Sequence, residues 1–414
     1  MFKIMSHPFT IAVQYLEDSP EMASLTPQVV TAKLRAAGEL LPIHQVLLGW
    51  NLPRPLVEAC ASETARLGAQ LYRWQPLLTG DGELLPRPEW QVIGLQGEPV
   101  PGFQNMPEFT FICPNKPAVQ AAVLTHLDAL IRQGIYAGFF LDRIRFPSPA
   151  AEPTRWLACF CPDCHRAAEN AGLDLALTRH TLNQLFARSE QTHACLQLLL
   201  GNSLTSAPAT TPKLATLAAY LAFRKESVTR FVCDCAALIH DAGLAVGLDC
   251  FSPALTTLVG QDLAALDGCA EWTKVMCYCH TLGPAGLPFE LLDLADWLMT
   301  QRGVDEVTAL TWLGEATDLA LPLHCATLRT HGLPSSALSA ELQRGHFAGV
   351  KQLLAGIELV EIPGVAHLDE AQLRRDLHAL RTSRAQGVAL SWDLWHIPLE
   401  RLALVREIVN KDEG

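Results

Sequence analysis

The sequence predicts a closed (β/α)8 TIM barrel, and three observations lead there. Eight short apolar, β-branched or aromatic runs alternate with longer helical patterns, the mark of a parallel sheet with crossover helices. No polar or Pro/Gly-rich linker divides the 414 residues into blocks. Carboxylates, aromatics and amides recur at the C-terminal ends of the runs, where barrels of this kind carry their sites.

The strand candidates are 10–16, 45–50, 69–74, 137–142, 245–250, 272–278, 352–361 and 387–392. Helices fill most of the gaps. Residues 117–133 start with proline in the first turn and stop at Gly134, and 213–242 stop at Gly243. Residues 370–384 and 399–409 repeat the pattern near the end. The expected organisation is one barrel domain over 1–414, with loop insertions at about 81–107, 148–175 and 282–349. The first of these is rich in Pro and Gly, and the last is long enough for extra helices.

Composition narrows the function. A hydrophobic fraction of 49% and a charged fraction of 18% describe a folded globular chain. The formal net charge of -12, with no basic run interleaved with aromatics, argues against nucleic acid as a partner. No stretch reaches the ~18–20 apolar residues of a spanning helix, so no membrane partner is expected. The opening residues MFKIMSHPFTIAVQYLED hold no sustained apolar run behind a basic start. The 13 cysteines are odd in number and mostly scattered, which fits reduced thiols. A cytoplasmic chain is therefore expected, its oligomeric state open and a homo-oligomer included.

Reading the strand ends gives the candidate site. Asp142 is the leading catalytic candidate, because alternation along the fourth strand puts Phe140 and Asp142 on the inner face. Its bland alternative is a salt bridge to Arg143 or Arg145. Glu358 and Glu361 compete for the second carboxylate, with Glu358 preferred and Glu361 equally readable as a solvated loop residue. Asp249 and Asp393 follow apolar strands and complete the carboxylate set. Trp392, Tyr278, His280, Trp74, Arg145 and Trp50 are the candidates for binding a substrate. Two carboxylates and stacking aromatics are what cleavage of a sugar linkage requires. Trp50 and Trp74 are equally ordinary core residues, and His280 an ordinary loop or core histidine.

Cys159, Cys161 and Cys164 form a C-x-C-x-x-C run just after the fourth strand, a spacing at which thiolates converge on tetrahedral zinc. Cys113 in FICPNKP is the preferred fourth ligand, with His165 as the alternative. Four protein ligands make such a Zn2+ structural, since no position remains open. No H-x-H, H-E-x-x-H, P-loop, G-x-S-x-G or strand-borne G-x-G-x-x-G is present, so no organic cofactor is expected.

Two resemblances add to this reading. CPNKP at 113–117, followed by a helix, a strand and CFCPDC at 159–164, resembles the zinc-binding layout of the family 42 glycoside hydrolases, the bacterial β-galactosidases. That resemblance covers about 50 residues and implies Cys113, Cys159, Cys161 and Cys164 as the ligand set. GFFLDRIRFPSP, GLDCFSP, VMCYCHTLGP, GIELVEIPG and ALSWDL look like motifs of little-characterised glycoside-hydrolase-like barrels, and imply that fold with a carbohydrate substrate. Family 42 enzymes carry an Asn-Glu pair at the end of the fourth strand. This chain has Leu141-Asp142 there, so β-galactosidase activity does not carry over. The expected function is a glycosidase acting on a small oligosaccharide or glycoside, with a non-catalytic carbohydrate-binding barrel as the alternative.

Overall fold

The structure, a computed structural model, describes residues 9–17, 19–201 and 211–409. Residues 1–8 of the opening run lie outside them. Eight parallel strands close into a barrel in sequence order. They are β1 (Thr10–Tyr15), β2 (Gln45–Leu48), β3 (Gln70–Pro76), β4 (Gly138–Asp142), β5 (Ala245–Cys250), β6 (Trp272–Met276), β7 (Leu353–Glu358) and β8 (Gly387–Ser391). β8 pairs with β1 through Thr10 opposite Gly387, which closes the ring.

The alternation of the strands sorts the core into two parts. Ala12, Leu47, Tyr72, Trp74, Phe140, Trp272, Leu354 and Ala389 pack together inside the barrel. The intervening residues, such as Val13, Val46, Phe139, Leu248 and Val388, pack outward under the helices. Filling the interior with large rings demands small neighbours. A Cβ on Gly247 would lie 2.1 Å from the Trp272 ring, so that position of β5 is glycine by necessity.

Helices join the strands, and their ends follow local chemistry. Pro117–Ile131 links β3 to β4 with Pro in its first turn. Pro212–Asp241 links β4 to β5 behind Thr211, whose hydroxyl accepts from the Leu214 N–H. Asp369 caps Glu370–Thr382 in the same way through Gln372. Between β6 and β7 stand four helices, Leu287–Arg302, Glu306–Thr317, Cys325–His331 and Ser335–Phe347. The segment between β4 and β5 adds four helices that the sequence reading did not place, Pro153–Trp156, Pro162–Asn170, Leu175–Phe186 and Thr192–Leu200. Thr192–Leu200 packs on Glu306–Thr317, so the segments after β4 and β6 brace each other.

Three strands, β2, β6 and β7, are shorter than expected by two residues or more, because pairing stops where the chain leaves the barrel wall. Residues 359–361 follow β7 as loop, and β2 ends before Asn51, which takes a positive φ of 55°. Among the described residues, no helix is long and apolar enough to cross a membrane.

Candidate active site

At the C-terminal mouth of the barrel lies a cavity of about 180 Å³. Asp142 and Asp249 line it from adjacent strands, and Glu17 lines it from the end of β1. The β4–β5 register pairs Leu141 with Leu248, so the next step places Asp142 beside Asp249. Neighbouring strands run ~4.8 Å apart, and the Asp142 charge is felt at Asp249.

Their surroundings differ. Asp142 Oδ2 accepts from the Trp74 indole N–H at 2.9 Å, and Oδ1 accepts from the Arg143 backbone N–H. Both oxygens therefore act as acceptors. Asp249 is 2% exposed and accepts from Lys274 Nζ at 3.0 Å through Oδ2. Its Oδ1 is buried and has no partner among the described residues. Burial pushes the Asp249 carboxyl up to about 7, against the pull of Lys274 and with the help of Asp142. Glu17 is likewise pushed up to about 7, by burial, with Arg143 opposing at 3.7 Å.

Lys274 is the central polar residue of the barrel interior. It is fully buried on β6, and its ammonium donates to Gln14 Oε1 at 2.7 Å, Tyr278 Oη at 2.8 Å and Asp249 Oδ2. Three donors meet three acceptors, so the group is satisfied as a cation. A Cβ on Gly356 would lie 2.4 Å from Lys274 Cε, so glycine on β7 makes room for its stem.

Of the sequence candidates, Asp142, Asp249, Tyr278, Trp74, Arg145 and Trp392 line this cavity. Trp392 sits 6.4 Å from Tyr278, ring centre to ring centre. Arg145 stacks over Phe111 and Phe251, and burial lowers its pKa to about 10. Trp50 lines an adjoining cavity and meets Trp74 edge-on at 5.0 Å.

Four candidates lie elsewhere. Glu358 accepts from the His280 backbone N–H, and burial raises its carboxyl to about 7. His280 itself turns to Asp376 at 2.9 Å, inside a buried network that joins the loop after β6 to the helix Glu370–Thr382. Glu361 is a loop residue paired with His367 and Arg401. Asp393 accepts from the Leu16, Glu17 and Trp395 N–H groups, joining the end of β8 to the end of β1. Its carboxylate holds backbone in place, and the hydrogen bond to Glu17 sets where that residue enters the cavity.

Glu17 and Arg143 were legible as polar residues at the ends of the first and fourth strands without a role assigned to them, whereas Phe109, Gln14 and Lys274 were not singled out. The signal for Lys274 was present, since a lysine inside the buried run WTKVM needs a partner in the barrel.

Beside the mouth, the Sγ atoms of Cys113, Cys159, Cys161 and Cys164 lie within 4.8 Å of one another, all buried. Cys113 stands 3.4 Å from Cys164 and 3.7 Å from Cys161. Four sulfurs at ~2.3 Å from one tetrahedral ion would be about 3.8 Å apart, so the group is able to hold a metal ion. The Ile93 backbone N–H and the Asn115 side-chain amide each donate to one of the sulfurs at 3.3 Å. The cluster joins the segment after β4 to the long segment after β3. The Phe160 N–H to Ile93 carbonyl bond, at 2.8 Å, extends that joint.

The barrel resembles solved structures in fold. It is similar to the PgaB (BpsB) glycoside hydrolase domain from Bordetella bronchiseptica, with a TM-score of 0.57 and 14% identity over 97% of this chain and 99% of that one. The likeness is to glycoside hydrolase barrels. It extends to alpha-L-fucosidase isoenzyme 2 from Paenibacillus thiaminolyticus, with a TM-score of 0.52 and 11% identity over 98% of this chain. The chain spans about half of that protein, 49% of its length. No protein-family model matches the sequence, and no curated protein matches it. What is shared at these identities is the fold.

Proposed function

We propose that the protein hydrolyses glycosidic bonds of an oligosaccharide or glycoside, with Asp142 and Asp249 as the working carboxylates. The observation that carries this reading is the pairing of these two groups on adjacent strands of one cavity, with different hydrogen-bond partners around each. Asp249, raised to about 7, holds a proton near neutrality and can give it to the leaving oxygen. Asp142, accepting two N–H bonds, is placed to attack the sugar carbon as the linkage breaks. Carboxyl groups ~5 Å apart suit a covalent glycosyl–enzyme ester, and the strand spacing favours that closeness. Water would then cleave the ester, giving its proton to the Asp249 carboxylate and releasing Asp142. Lys274 stabilises Asp249 in the interval when it is charged. Trp392 and Trp74 supply aromatic surface, while Arg143 and Arg145 supply donors for hydroxyls.

The test is Asp142→Asn, assayed on a panel of aryl glycosides and oligosaccharides. We expect turnover to fall at least about 10³-fold with the melting temperature little changed. Full activity in that variant would sink the assignment. A second reading, a sugar-binding barrel without catalysis, draws on the Lys274–Asp249 ion pair, which could serve the fold alone. It would stand if glycans bound saturably and no linkage were cut.

For the cysteine cluster we propose zinc. Cys113, Cys159, Cys161 and Cys164 would hold the ion, and when bound it supplies a cross-link with no open position for chemistry. Their donor set of four thiolates suits that ion. The resemblance to the family 42 cluster supports the same choice. His165 is outside the group of four. Thirteen unpaired thiols accord with a reducing compartment, for which we propose the cytoplasm.

A further inference from the structure

The cavity at the barrel mouth does not stand alone. A second cavity of about 680 Å³ adjoins it on one side and shares Glu17, Arg143 and Phe109 with it. A third, of about 240 Å³, adjoins it on the other side and shares Arg145, Pro284 and Phe109. Phe109 thus borders all three, and the two arginines that follow β4 each stand at one junction. The three cavities thus lie side by side, and we read them as one trough with the Asp142–Asp249 pair in its middle.

Both outer ends open to solvent. The larger wing ends at Asn51, Pro53 and Leu85, all exposed, and Leu85 leaves 66% of its surface uncovered. The smaller wing ends at Pro101, Gln104 and Ala151, also exposed. A site for a terminal sugar needs a wall beyond it, and neither end has one.

The wings differ in chemistry. The smaller one is aromatic, with Phe103 and Phe289 meeting edge-on at 5.6 Å and Trp156 beside them, all half-buried. Half-buried rings offer faces on which sugar rings can lie. The larger one presents Glu108, Asn51 and Arg143 with an apolar lip at Leu85.

Size decides how the trough is used. Pockets for small ligands hold roughly 300–1,000 Å³, and the central cavity is below that range while the wings extend it on both sides. The centre alone offers little binding energy. Most of the energy for orienting a substrate must come from units bound away from the reacting bond.

We propose that the protein is endo-acting: a linear glycan lies across the trough, sugar units occupy both wings, and the linkage over Asp142 and Asp249 is internal. This rests on the hydrolase reading above and adds the form of its substrate.

The experiment uses the full chain carrying Asp142→Asn, presented with linear oligosaccharides of glucose, mannose, galactose, glucosamine and N-acetylglucosamine, from one to six units. We expect affinity to rise at least about tenfold from the disaccharide to the tetrasaccharide of the preferred series. Phe289→Ala in one wing and Leu85→Ser in the other should each reverse much of that gain without changing disaccharide binding. Two variants on opposite sides guard against one of them misfolding. Equal affinity for short and long oligomers, or no binding of any oligomer, overturns the proposal. Aryl-glycoside hydrolysis by the unmodified chain separates the two readings. If it persists while length dependence is absent, the trough falls and the hydrolase stands. Length-dependent binding without any cleavage keeps the trough as a binding surface and overturns endo action together with the hydrolase reading.

Discussion

Lys274 Nζ lies 3.0 Å from Asp249 Oδ2 beneath the barrel mouth, with both side chains out of contact with bulk water. A buried pair of this kind contributes little net stability while intact, yet removing one partner strands the other charge. Lys274→Met should lower stability by about 3–5 kcal/mol at pH 8. Near pH 5, where Asp249 can take up a proton, the loss should shrink. Denaturant melts at the two pH values read the difference, and an equal loss at both would remove Asp249 as the stranded partner.

The same pair sets a pH dependence for catalysis. Asp249 acts as proton donor only while protonated, and its pKa stands at about 7. The rate should therefore fall as pH rises above 7, close to tenfold per unit. Asp249→Asn should abolish that limb and retain more activity on aryl glycosides, whose leaving groups need little protonation, than on oligosaccharides. An alkaline limb unchanged in Asp249→Asn would assign the acid elsewhere, with Glu17 next in line.

Glu358 makes a separate prediction about stability. Its carboxyl, ordinarily near 4.5, is raised to about 7 by burial. The folded chain therefore holds this proton more tightly than the unfolded chain does. Below pH 4.5 both states are protonated and nothing is lost. As pH climbs to 7 the unfolded state ionises first, and the fold loses up to about 3 kcal/mol. Glu358→Gln keeps an acceptor for the His280 N–H and cannot ionise. Its melting temperature relative to the unsubstituted chain should rise between pH 4.5 and 7.5. A flat difference across that range would refute the burial argument.

The cysteine cluster predicts metal-dependent stability. Native mass spectrometry should find about one zinc per chain, and Cys164→Ser should lose it and melt several degrees lower. A strong chelator should lower the melting temperature of the unsubstituted chain and leave the Cys164→Ser variant unaffected. Absence of zinc with no chelator effect would leave the cluster as four packed thiols.

How far the sequence led depends on where each residue stands. The barrel was legible because eight apolar runs, each short and bounded, admit few other arrangements. Asp142 and Asp249 were legible because strand alternation fixes the inner face as far as the last paired residue. Glu358 occupies that same last position on β7, but its carboxylate finds the His280 N–H of the neighbouring loop. Alternation fixes where a side chain leaves the backbone, and the partner is a matter of tertiary structure. Lys274 escaped for the opposite reason. It sits mid-strand, two residues before the end of β6, and its four-carbon stem carries the charge up to the site. Phe109 lies in the irregular segment between β3 and the next long helix, where no periodicity reports direction.

Asp393 carries a consequence for the order in which the molecule can come into being. Its carboxylate positions the Leu16 and Glu17 backbone across 377 and 376 residues of chain. During synthesis β1 emerges before β8, so Glu17, the first carboxylate of the cavity, has no anchor until the other seven strands have left the ribosome. Contacts of such separation form late and slowly. A truncated chain ending before β8 could hold most of its helices and its cysteine cluster and still lack a finished catalytic mouth.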